Sequence, residues 1–231
     1  AYPFAMVMTP RKSEVAWLMG KTGDNRLNYS GLSTLRLNGA GTTSDYRLSG
    51  DWLLDGAAYG YGQAFQKSAG KSNRITFSGR VNHEGLSVSS LHYELPSSAV
   101  DLAGNYTWGQ ERNLQIEGRS NQIRLDDLSE CFPAMRKMRP TGLIRLNIRG
   151  NGNTDDPLAL NWRGDISLND TSFVAAEHIK PVRSLSGMIR LKGNSLEMPH
   201  FSAAIGSNVI TGKAELVNFR NPSINVDFNC P

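Results

Sequence analysis

The sequence predicts an all-β protein: a long, curled antiparallel sheet built from repeats, with two short helices. Three observations point there. Apolar residues alternate with polar ones in segment after segment, the period-two pattern of strands with one wet and one dry face. Clusters such as GAGTTSD, NHEG, LPSS, GQERN, GNGNTDDP, KGNS and FRNP separate these segments with turn chemistry. Glycine recurs on the apolar parity of the strands, where a large side chain is expected.

Taken in order, AYPFAMVMTP (1–10) lacks an initiator Met, a basic n-region and a proper apolar h-region, so it reads as the interior of a longer chain rather than a signal peptide. SEVAWLMGK (13–21) has helical spacing. After LRLN (35–38), YRLSGDWLL (46–54) puts Tyr46, Leu48, Gly50, Trp52 and Leu54 on one parity. GAAYGYG (56–62) follows no nucleotide-binding pattern and reads as a flexible loop. RITFSGRV (74–81) contributes Ile75, Phe77, Gly79 and Val81, GLSVSSLHYEL is a further strand, and AVDLAGNYTW (99–108) contributes Val100, Leu102, Gly104, Tyr106 and Trp108.

LDDLSECFPAMRKM (125–138) returns to helical spacing, interrupted by Pro133. TGLIRLNIRG (141–150) then aligns Ile144, Leu146 and Ile148, and LALNWRGDISL (158–168) aligns Leu158, Leu160, Trp162, Gly164, Ile166 and Leu168. SLSGMIRL (184–191) gives Leu185, Gly187, Ile189 and Leu191, NVITGKAEL carries Gly212, and INVDF (224–228) gives Ile224, Val226 and Phe228.

The order helix, LRLN or IRLN, glycine strand, second glycine strand recurs, with corresponding elements about 110 residues apart. Gly50 corresponds to Gly164, Gly79 to Gly187 and Gly104 to Gly212. The chain therefore reads as one continuous fragment over 1–231, with a first repeat at 13–120 and a second at 121–231. A sheet that curls toward its dry face crowds large side chains there, and a glycine relieves the crowding. Recurrence in both units favours this account over scattered bulges in an ordinary sandwich. The helices are expected to plug the rim of the curl, with gating of entry as the alternative.

Composition excludes several classes. Of 231 residues, 39% are hydrophobic and 20% charged, which argues against disorder. The net charge of +4 is spread along strands without a basic run, a solvated face rather than a nucleic-acid stripe. No apolar run is long enough to span a membrane as a helix. Cys131 and Cys230 have no CxxC or histidine at ligand spacing, and whether they are bridged is not legible.

Enzyme chemistry finds no convergent constellation. His83, His92, His178 and His200 are scattered, and His92 and His200 fall on the polar parity. Asp126–Asp127 sits near a helix start, where acids suit the dipole, and Asp155–Asp156 lies in a turn with no downstream Glu to complete a calcium loop. No catalytic residue, metal or cofactor is expected.

The passage from Leu125 to Leu216 resembles the repeating region of the AsmA-like family of bacterial envelope proteins, which includes AsmA, TamB and YhdP. The shared cadence is a short helix, the strand Gly142 to Gly150, Gly164 to Leu168, Pro181 to Ile189, and Gly212 to Leu216. The likeness is good over 121–231 and traceable over 13–120. It implies a hydrophobic β-groove in the periplasm, within a full-length protein anchored in the inner membrane of a Gram-negative bacterium. The groove would carry phospholipids toward the outer membrane. The implied partners are phospholipid acyl chains, neighbouring repeats of the same protein and other envelope proteins, with no nucleic acid. The groove would be lined by the apolar residues named above and bent at the six paired glycines. An alternative is a non-enzymatic envelope assembly or adhesion module that recruits protein strands at an exposed sheet edge.

Overall fold

The computed structural model describes residues 2–18, 22–109, 112–156, 159–174 and 180–230. In chain order the first half comprises β1 (Phe4–Met8), α1 (Lys12–Leu18), β2 (Leu27–Gly31), β3 (Thr34–Thr42), β4 (Asp45–Leu53), β5 (Ala57–Tyr61), β6 (Phe65–Lys67), β7 (Arg74–Asn82), β8 (Gly85–Leu95), β9 (Ser98–Thr107) and β10 (Asn113–Ser120). There follow β11 (Ile123–Arg124), α2 (Leu125–Cys131), α3 (Pro133–Arg136), β12 (Thr141–Asn153), β13 (Asn161–Phe173), β14 (Val182–Gly193), β15 (Ser195–Ile205), β16 (Asn208–Val217) and β17 (Ser223–Asn229).

The protein is all-β around one curled antiparallel sheet of 14 strands, in the order β1-β3-β4-β7-β8-β9-β10-β12-β13-β14-β15-β16-β17, with β11 beside β12. Because each strand pairs with the next available one, the sheet is a meander, and it does not close: β1 and β17 are its edges. Pairing runs without a break from β10 to β12, across the boundary at 120–121 that the sequence periodicity suggests.

A bulge falls in β8 and in β15, the strands that the sequence periodicity puts in correspondence. In β8 the register slips between Val88 and Leu91, and in β15 between Met198 and Phe201. The extra residue switches the apolar parity from Leu86 and Val88 to Leu91 and Tyr93, so both halves of the strand keep their apolar side chains on one face. In β15 the slip contains Pro199, whose missing N–H cannot serve the ladder.

Two local expectations are corrected. The 125–138 segment is not one helix: Phe132, held extended at φ −115° by the following Pro133, separates α2 from α3. GAAYGYG is not a loop but contains β5, the middle strand of a separate sheet, β2-β5-β6.

The compact core lies at one end of the large sheet. Val15 and Ala16 of α1 pack with Leu27, Tyr29, Leu54 and Ala57, and this cluster rests on Trp52 and Ile75 of the large sheet. Phe65 of the small sheet meets Phe132 edge-on at 5.4 Å, joining α1, the small sheet and α2 into one cap. None of the described helices is long and apolar enough to cross a membrane.

Candidate functional site

Strand registers place the sequence-derived lining residues on a single face. Tyr46 and Trp52 lie opposite Val81 and Ile75, and Leu48 shares their parity on β4. Across β8, Phe77 reaches Leu91, which in turn faces Leu102, while Val100 and Tyr106 lie opposite Tyr93 and Leu86. Ile144, Leu146 and Ile148 face Leu168, Ile166 and Gly164. Ile166 faces Ile189, and Leu191 and Leu185 share that parity on β14. Ile224, Val226 and Phe228 close the series against β16.

Most of these side chains are half-buried. Leu160 is buried, with Gly152 beneath it, whereas Ile224, Val226 and Phe228 are 68%, 54% and 61% exposed. Leu158 lies outside the described residues, as does His178.

The glycines follow a rule along the hydrogen-bonding direction. From β1 to β14, one row reads Phe4, Gly39, Leu48, Gly79, Val88, then Gly104, Ile116, Gly150, Trp162, Gly193. Large and absent side chains alternate without exception over this row. At Gly50 and Gly150 the neighbouring Phe77 and Trp162 rings lie where a Cβ would be, at 2.3 and 2.7 Å. At Gly79, Gly104 and Gly212 the obstacle is a carbonyl oxygen of the adjacent strand, at 2.5, 2.3 and 2.3 Å. At Gly187 it is the His200 carbonyl at 2.9 Å. The first group makes room for rings to lie flat, and in the second the backbone of the adjacent strand leaves no space for a side chain.

The cap covers one end of this face. Tyr59 of the small sheet donates to Asn73 Oδ1 at 2.8 Å and contacts the Tyr93 hydroxyl at 2.8 Å, while Asn73 Nδ2 donates to Tyr93 at 3.1 Å. Burial pushes the Tyr59 and Tyr93 hydroxyls above the ordinary phenol range. Lys67, 4% exposed, donates to the carbonyls of Leu54 at 2.7 Å and Ala57 at 2.9 Å, and burial lowers its pKa. Beyond the cap, no helix or second sheet among the described residues packs broadly over the apolar face.

The opposite face is polar and charged. Asp51 holds Arg74 at 2.8 Å and Arg36 at 3.7 Å, Asp45 holds Arg80 at 2.5 Å, and Glu197 holds Lys192 at 2.7 Å and Arg190 at 3.7 Å. His92 Nδ1 lies 2.6 Å from Asp101, a hydrogen bond that raises the imidazole pKa. At the end away from the cap, a recess of about 1030 Å³ opens over β8 to β13 on this polar face, where it is lined by Ser87, Asn105, Gln115, Asn151, Arg149 and Arg163 among others. Sequence reasoning assigned a hollow only to the apolar side. The alternating polar residues were visible, but the hollow over them was not.

Cys131 is buried, Cys230 is exposed, and neither is bridged. Among the described residues, no three His, Cys, Asp or Glu side chains converge as a metal centre would require. The arrangement offers a broad apolar surface, half-exposed and capped at one end, backed by a charged surface. Comparison of the chain with protein-family models, curated proteins and solved structures finds no match.

Proposed function

We propose that this chain is a section of an AsmA-like periplasmic protein, whose apolar sheet face carries phospholipid acyl chains between the inner and outer membranes and so supports outer-membrane integrity. One observation carries the reading: an apolar face continuous through the register of the large sheet is left half-exposed, with a second layer only at one end. Contiguous apolar surface on this scale marks a place where another apolar body sits. An acyl chain of about a dozen methylenes, at roughly 0.8 kcal/mol each, leaves a bilayer only for continuous apolar cover. The face offers no convergent polar group, which suits a guest that slides.

Photo-crosslinking groups at Trp162 or Ile189 are expected to capture acyl chains, and groups at Arg163 or Arg190 are not. Native mass spectrometry of the purified protein should release phospholipid. Equal labelling of both faces, or protein free of lipid, defeats the proposal.

The second reading, recruitment of a partner strand, is favoured by β17. All of its residues are exposed, and β16 is its sole partner among the described strands. A strand peptide that protects β17 amides from hydrogen exchange without affecting lipid capture would favour that reading.

A further inference from the structure

We infer that the polar face of the sheet, at the end away from the cap, binds a strand of acidic polysaccharide. Five side chains stand in register there, on five successive strands: Ser87, Asn105, Gln115, Asn151 and Asn161. Among the described residues none of the four amides is hydrogen-bonded through its side chain, so every donor and acceptor is available. The row lines the recess of about 1030 Å³.

A second row runs beside it. Arg149 lies two residues before Asn151, and Arg163 two residues after Asn161, and the two arginines face each other across β12 and β13. Like charges placed directly opposite destabilise a sheet. Arg119 and Arg145 add to the same face, and none of the four has a carboxylate partner among the described residues. Glu117 lies opposite Arg149 but outside ion-pair distance. On the flanks most charges are paired, Arg80 and Arg74 with Asp45 and Asp51 toward β4 and Arg190 and Lys192 with Asp165 and Glu197 toward β14, while Arg47 on β4 has no carboxylate at ion-pair distance among the described residues. Two of these guanidinium groups, Arg149 and Arg163, line the recess without an ion-pair partner, beside the single carboxylate of Glu117, whereas Arg119 and Arg145 fall outside its lining.

Spacing selects the guest. Successive amides are one strand apart, about 4.8 Å, close to the advance per ring of an extended polysaccharide. The arginine row is two residues away along the strands, about 6.7 Å, roughly the width of a sugar ring. A uronic acid strand would set its ring hydroxyls on the amides and its carboxylates on the arginines, which bind carboxylate in a planar fork. An acidic peptide would seek backbone partners, but the strands here are interior ones whose ladders are already filled. A lipid surface would seek apolar side chains to insert, and this face presents amides. The inference stands apart from the lipid reading of the opposite face.

The test is calorimetric titration of the intact chain with oligogalacturonate, beside maltooligosaccharide, poly-glutamate and phosphatidylglycerol vesicles. Oligogalacturonate is expected to bind in preference to the other three. The double variant Arg149→Gln/Arg163→Gln should weaken that binding about tenfold or more, as loss of charge-assisted forks requires. Gln115→Ala/Asn151→Ala should weaken oligogalacturonate binding several-fold while leaving poly-glutamate binding as it was. Both variants replace surface side chains, and a cooperative thermal transition at or above that of the unaltered protein will show that they fold. Absence of oligogalacturonate binding to the unaltered protein overturns the inference. So does poly-glutamate or vesicle binding of equal strength together with indifference to the amide variants, because charge alone would then account for it.

Discussion

At Gly164 the backbone φ is +126°, and a Cβ would lie 2.1 Å from the carbonyl oxygen of Asn147. Neither constraint yields to a side-chain rotation, so Gly164→Ala is expected to destabilise the fold by about 2–3 kcal/mol in chemical denaturation. Gly118 is the contrast: a Cβ there meets the Leu102 Cδ2 atom at 2.9 Å, the end of a flexible side chain. Gly118→Ala should cost about 1 kcal/mol or less by the same measurement. Both glycines were visible as gaps in an apolar series, but which gap admits a methyl group depends on what crosses over it. His92 offers a second test. Its hydrogen bond to Asp101 raises the imidazole pKa, so the contact stabilises the fold fully below about pH 6.5 and fades as pH rises through the raised value. Asp101→Asn should return the His92 titration toward its ordinary midpoint by NMR and flatten this part of the stability profile.

Among the elements, the long strands were legible because a period of two survives even through a bulge. The parity switch from Val88 to Leu91 is readable in GLSVSSLHYEL, as is that from Met198 to Phe201. The small sheet escaped because Gly56, Gly60 and Gly62 read as punctuation, although Ala57, Tyr59 and Tyr61 share a parity. Its strands pack through Leu27, Tyr29 and Ala57 into the apolar core and are also anchored by the Lys67 ammonium. Lys67→Met would take the ammonium donor from the carbonyls of Leu54 and Ala57, leaving Leu54 with the Ala57 N–H alone. A loss of about 2–3 kcal/mol is expected, with earlier melting of the cap in hydrogen exchange.

For the whole molecule, the one-sidedness of the sheet was foreseeable and its layering was not. Alternation from Tyr46 to Phe228 dictates that one face is apolar, since each antiparallel register carries parity intact from strand to strand. Alternation does not say where a covering layer stops, because that depends on segments inserted between strands: α1 and β2 between β1 and β3, β5 and β6 between β4 and β7, and α2 with α3 between β11 and β12. Nor does it say where the charged side is hollow. The cap itself has a mechanical meaning. Phe65 belongs to an insertion rooted at β4 and β7, and Phe132 to one rooted at β12, so their meeting ties together two points far apart along the sheet. It acts as a chord across an arch: the Phe65–Phe132 contact braces the curvature at that end, and no comparable ring contact among the described residues spans the far end.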